Sequence, residues 1–196
     1  MALLRQHCPW DAEQTHRSLV QYLVEEALET VEAIESGDEA DLREELGDLL
    51  LQVVFHAEIA PGFDVEDVAR GIADKLVGRH PHVFGADAVP TDLHHTWEQR
   101  KAVEKGRTSA LQGIPEQLSA MARAHKIISR ARSRRVPLEL PTAPVTAEVV
   151  GAEVLTLVAR AQASGVDPEQ AVRDAVRRLE QQVRDAEAVP SGPAQD

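Results

Sequence analysis

Apolar positions recur every three to four residues from residue 15 to residue 36, lapse at Gly37, and return after Asp38 through residue 60. That period is the helical one, and so brief an interruption predicts two helices joined by a tight turn, with Asp38 capping the second. Pro61-Gly62 ends the second helix, Asp64 caps a third that runs to residue 79, and His80-Pro81 stops it. A loop from Gly85 to Pro90 leads to a fourth helix, capped by Thr91 and terminated by Gly106. A fifth is expected from Pro115 to residue 135, a proline-rich linker over 136–144, and two more helices over 146–164 and 168–188. Residues 190–196 read as a disordered tail. No segment alternates with a period of two for long enough to build a sheet. The pattern is all-α: a four-helix bundle with a further C-terminal helical segment.

The exceptions to the pattern carry the chemistry. On the first helix Leu19, Tyr22, Leu23, Ala27, Thr30 and Ile34 form the expected buried stripe. Glu26 falls inside it and Glu29 at its edge, while Glu25, Glu32 and Glu35 drift toward the polar side. The second helix is apolar over nearly its whole circumference, through Leu46, Leu49, Leu50, Leu51, Val53, Val54 and Phe55. A single bundle covers one stripe, so this helix is expected to face a second copy of the chain as well, and a homodimer follows. Its one narrow polar line holds Glu45, Asp48, Gln52 and His56. Residues three apart on a helix share a face. The pairs Glu26/Glu29 and Glu45/Asp48, on adjacent helices, therefore aim four carboxylates at one point.

Carboxylates buried together repel and need a cation. Oxygen-only ligands select a hard one, Mg²⁺ first and Mn²⁺ second. A di-iron bundle asks for two Glu-x-x-His pairs, and the chain offers only Glu13 to His16, at the start of the first helix. Magnesium held by a few carboxylates is commonly completed by substrate phosphates. Cations belong nearby, and Lys75 with Arg79, then Trp97 with Lys101, are spaced four apart. Singly these are ordinary snorkelling cations and a core tryptophan. Beside an acidic metal site they suggest a clamp for phosphate and base.

Composition narrows the class. A formal net charge of −12 over 196 residues argues against a partner that is a nucleic-acid polymer, since that affinity comes from clustered Lys and Arg. The single cysteine, Cys8, excludes an intrachain disulfide framework and suits a reducing compartment. No apolar run is long enough for a membrane span or a signal peptide, so no membrane partner and a cytoplasmic location are expected.

Several motifs together resemble one family. Glu25-Glu26-Ala27-Leu28-Glu29 followed by Glu45-Leu46-Gly47-Asp48 is similar to the E-E-x-x-E and E-x-x-D metal motif of MazG-type nucleoside triphosphate pyrophosphohydrolases, members of the all-α NTP-pyrophosphatase superfamily. Cys8-Pro9-Trp10-Asp11, Gln14-Thr15-His16, Lys75 through Phe84, and Trp97-Glu98-x-x-Lys101 also resemble that family's first domain. The resemblance implies that Glu26, Glu29, Glu45 and Asp48 hold Mg²⁺ and that Glu25 orients or deprotonates water. It also implies that Lys75, Arg79, Trp97 and Lys101 bind the nucleotide. The implied reaction is hydrolysis of canonical or damaged NTPs and dNTPs to monophosphate and pyrophosphate, as nucleotide-pool house-cleaning. A narrower dUTP, dCTP or phosphoribosyl-ATP pyrophosphohydrolase is the alternative within the fold, and a metal-stabilised interaction module the alternative outside enzymes. A catalytic domain is expected over 1–108. The stretch 151–173 echoes 47–70 without its carboxylates, which suggests a degenerate second helical domain over 109–189, lacking metal ligands.

Overall fold

The structure, a computed structural model, describes residues 1–188 apart from the side chain of His94. The tail expected over 190–196 lies outside the described residues. Among those described there is no strand, and the elements are α1 (Ala2–His7), α2 (Pro9–Glu13), α3 (Val20–Ser36), α4 (Glu39–Ile59), α5 (Val65–Arg79), α6 (Pro81–Phe84), α7 (Leu93–Glu104), α8 (Ala120–Ser133), α9 (Ala147–Ala163) and α10 (Pro168–Ala188). They fall into two compact units, one from Met1 to Ala86 and one from Asp87 onward.

In the first unit the hairpin of α3 and α4 is the frame. Gly37 closes α3 in the left-handed conformation, at φ 76°, where a side chain is strained. Asp38 then opens α4 by accepting from the backbone N–H groups of Ala40 and Asp41. Residues 15–19, expected within the first long helix, are instead a turn. Thr15 N–H donates to Ser18 Oγ at 2.9 Å and Ser18 N–H to Thr15 Oγ1 at 3.1 Å, so the hydroxyls offer the backbone a local alternative to the helix. Leu19, Ala33, Phe55 and Ala57 are buried, together with the polar Thr30 and Gln52. The N-terminal segment closes over this pair, with Trp10 edge-on to Tyr22 at 5.8 Å and to Phe55 at 6.4 Å.

The stripe on α3 differs from the expected one. Leu19, Thr30 and Ala33 are buried, whereas Leu23, Ala27 and Ile34 are exposed. Small residues at 30 and 33 let α4 approach on that side, and the larger aliphatic groups are left outward. On α4, Leu46, Leu50, Leu51 and Val53 likewise remain more than 40% exposed.

In the second unit α7 packs on α8, and α10 packs on both α8 and α9. Its core joins Ala110 and Ile114 of the preceding loop to Ile127 and Ala131 of α8 and Val176 and Val183 of α10. Helix α8 starts at Ala120, where Ser119 caps it, and not at Pro115, whose carbonyl accepts from Arg123 Nη1 at 2.9 Å. No single helix among the described residues is long and apolar enough to cross a membrane. Ile127 is fully buried. Ile127→Ala should therefore cost about 2–5 kcal/mol, because the cavity closes only partly, and this is measurable as a lower denaturation midpoint in urea.

Candidate metal centre

Three of the four expected ligands come together. One carboxylate oxygen from each of Glu26, Glu29 and Glu45 lies within 4.8 Å of the others. The one-turn spacing on α3 sets Glu26 beside Glu29, and the tight turn at Gly37-Asp38 brings Glu45 of α4 to face them. Asp48, one turn further along α4 and half-buried, stands outside that focus but near enough for its charge to act on both Glu26 and Glu45.

The site is not the dry interior that the apolar stripe suggested. Glu26 and Glu45 are half-buried and Glu29 is exposed, because the stripe packed against α4 passes through Thr30 and Ala33. Even so, the Glu26 carboxyl is held above its ordinary value of 4.5, by burial first and then by the negative charges of Asp48, Glu29, Glu45 and Glu25. Burial also raises Glu45, helped by Glu29, Asp48, Glu44 and Asp41. Carboxyls that resist losing their protons at a common oxygen focus fit a hard divalent cation, which replaces those protons as the counter-charge. Glu25 is exposed on the flank of the cluster.

Beyond Asp48 the polar line of α4 turns inward. Gln52 is buried, and its Oε1 has no hydrogen-bond partner among the described residues; nor has Nε2 of His56. The His56 ring stacks on His16 with Nδ1 atoms 2.8 Å apart, and burial followed by the His16 charge lowers its affinity for a proton. The pairing of His16 with His56 is absent from the sequence reading. In the sequence His16 stands in the Gln14-Thr15-His16 motif and His56 at the end of that polar line, with nothing to join them.

The expected phosphate ligands occupy two places. Lys75, exposed, and Arg79, half-buried, lie one turn apart on α5, which packs against α4. Trp97 and Lys101, both half-buried, lie one turn apart on α7 in the second unit, where Lys101 Nζ is 3.7 Å from Glu98 Oε1. Burial foremost makes the Lys101 ammonium easier to deprotonate than usual, and neighbouring cations add to this against the opposing pull of Glu98.

Comparison with known proteins bears on these residues. The family model described as the MazG nucleotide pyrophosphohydrolase domain matches residues 14–84, a span that contains every carboxylate of the focus as well as Lys75 and Arg79. The chain is 36% identical over 201 residues to the nucleoside triphosphate pyrophosphohydrolase/pyrophosphatase MazG of Thermotoga maritima, covering 88% of this chain and 76% of that protein. The chain belongs to the MazG family. It is also 47% identical to an uncharacterized 26.1 kDa protein in the blaB 3' region of Streptomyces cacaoi, covering 95% of this chain and 79% of that protein. With the nucleoside triphosphate pyrophosphohydrolase of Mycolicibacterium smegmatis it shares 39% identity over 96% of its own length, yet it spans only 57% of that relative.

The raised carboxyls give the MazG centre a pH signature. In the metal-free protein the native state binds more protons at Glu26 and Glu45 than the unfolded chain does, so their contribution to stability increases as pH falls from neutral toward 4.5. Without metal, Glu45→Gln should melt higher than the wild type at neutral pH, and the difference should shrink on acidification. Millimolar Mg²⁺ should raise the wild-type melting temperature more than the variant's. Calorimetric scans in EDTA and in Mg²⁺ across that pH range measure both, and a less stable metal-free variant would show Glu45 to be a structural partner.

Proposed function

We propose that the chain hydrolyses nucleoside triphosphates, canonical or damaged, to nucleoside monophosphate and pyrophosphate in a Mg²⁺-dependent reaction that clears the cytoplasmic nucleotide pool. The convergence of Glu26, Glu29 and Glu45 within 4.8 Å, inside the segment matched by the family model, is the observation that carries this reading. Glu26, Glu29 and Glu45 would hold the cation, with Asp48 as a fourth ligand or as the charge that keeps their affinity high. Mn²⁺ meets the same oxygen-only requirement. When bound, such an ion neutralises phosphate charge and makes water more acidic.

The chain's own residues divide the remaining work. Glu25, exposed beside the cluster, accepts the proton of the attacking water as its oxygen bonds to the α-phosphorus. The bond from that phosphorus to the bridging oxygen breaks, and the pyrophosphate leaves with the electron pair. Lys75 and Arg79, in the same unit as the carboxylates, stabilise charge on the departing phosphates, and Trp97 and Lys101 are the motif residues proposed for the nucleotide. The exposed aliphatic rows on α3 and α4 favour a homodimer, because contiguous apolar surface of this kind is costly to leave in water. Residues 1–108 are the proposed catalytic portion and 109–189 a portion without metal ligands of its own. A nucleic-acid polymer or a membrane has no place in this scheme.

Incubation with a panel of NTPs and dNTPs plus Mg²⁺ should release monophosphate and pyrophosphate in equal amounts, with no orthophosphate. Glu45→Gln should lower kcat at least about a hundredfold, as expected for loss of a metal-held charge in the transition state, and Lys75→Ala should act mainly on kcat/KM. Release of orthophosphate with nucleoside diphosphate would replace this reaction by another. A single strongly preferred base would select the narrower dUTP, dCTP or phosphoribosyl-ATP enzymes, and metal-dependent stabilisation without turnover would select the interaction module.

A further inference from the structure

The second unit contains a cavity of about 780 Å³ whose lining residues all come from positions 95–135. Its charges are one-sided. Arg107, Arg130, Arg134 and Arg135 line it, and Glu98 is the one carboxylate among the described lining residues. That carboxylate is already shared: Glu98 Oε1 is 3.7 Å from Lys101 Nζ, and Oε2 is 3.8 Å from Arg130 Nε.

Part of this arrangement is bracing. Arg130 Nη1 donates to the carbonyls of Gln112, at 2.5 Å, and Ala110, at 3.5 Å. Arg134 donates from Nη1 to Arg107 O at 3.2 Å and from Nη2 to Thr108 O at 3.0 Å, so α8 ties down the loop that precedes it. Carbonyls satisfy N–H groups without supplying negative charge. Arg130 is 5% exposed, and its Nε has no hydrogen-bond acceptor among the described residues. Burial, then the neighbouring Arg107, oppose its charge, with Glu98 only partly compensating and Arg134 adding to the strain. A brace does not need so many neighbouring cations, and the long 3.8 Å pair with Glu98 leaves Arg130 Nε without a hydrogen bond. In a chain of net charge −12 such a concentration of guanidiniums calls for a multivalent anion.

We propose that this cavity binds a phosphate chain, either free pyrophosphate or the di- or triphosphate of a nucleotide. Guanidinium forks match phosphate oxygens in paired hydrogen bonds. Several of them spread around one cavity suit linked phosphates better than a single carboxylate, and the volume lies within the range of small-molecule sites. The site needs no divalent ion, so it stands or falls separately from the reaction proposed above.

The test is calorimetric titration of inorganic pyrophosphate into the full chain, in EDTA at fixed ionic strength. Saturable binding is expected for the wild type and, unchanged, for Glu45→Gln. The double variant Arg107→Gln/Arg135→Gln should weaken it about tenfold or more, the effect of losing one or two charge-assisted hydrogen bonds, with no fall in the melting temperature of the free protein. Glu98→Gln should tighten it, a result that a purely bracing role for the arginines does not give. A non-hydrolysable triphosphate analogue that displaces pyrophosphate with higher affinity assigns the nucleotide as ligand, and a weaker one assigns free pyrophosphate. If neither ligand saturates below millimolar concentration, or if binding is unmoved by the double variant, the proposal is overturned.

Discussion

Like charges facing each other across one helical hairpin are the constraint on which the first unit depends. Glu26, Glu29 and Glu45 are set by backbone geometry: a turn of α3 separates the first two, and the left-handed Gly37 followed by the Asp38 cap decides which turn of α4 faces them. Shifting α4 by one residue would rotate Glu45 by about 100° and replace it with Glu44 or Leu46. The turn therefore decides which carboxylates converge. Burial first, and then repulsion between neighbouring carboxylates, is the cost of the arrangement, and it shows in the Glu26 and Glu45 carboxyls, which hold their protons above the ordinary value.

The polar line continuing from this focus explains why α4 is so apolar elsewhere. Glu45 and Asp48 lie toward the open end, whereas Gln52 and His56 are carried under the N-terminal segment, where Trp10 packs on Tyr22 and Phe55 and His16 stacks on His56. The Cys-Pro-Trp-Asp stretch thus has a packing role in the fold. Arg5 joins it, its guanidinium 5.9 Å from the centre of the Phe55 ring and its Nη1 donating to the carbonyl of Asp11 at 2.7 Å.

Charge in this protein is segregated. Carboxylates crowd together in one unit and guanidiniums in the other, and each cluster is only partly compensated by groups of opposite sign nearby. Uncompensated charge at a concave or converging site is what ligands of opposite sign exploit. The two clusters belong to separate helices with separate cores.

Helical period, caps and turn residues determined the all-α class, the ends of α4, α5, α9 and α10 to within about two residues, and the acidic pairs, because these depend on near neighbours in the chain. The start of α3 was not legible, since Thr15 and Ser18 bond to each other's backbone as readily as they enter a helix. Nor was its buried face, because Thr30 and Ala33 are chosen by how closely α4 approaches and not by hydropathy. Only the tertiary structure decided that Glu26, Glu29 and Glu45 share one focus with the charge of Asp48 beside it, that His16 meets His56 across forty residues, and that arginines 107, 130, 134 and 135 share one cavity. Local pattern encodes which face a residue takes on its own helix; which partner occupies that face depends on long-range packing that no periodicity records.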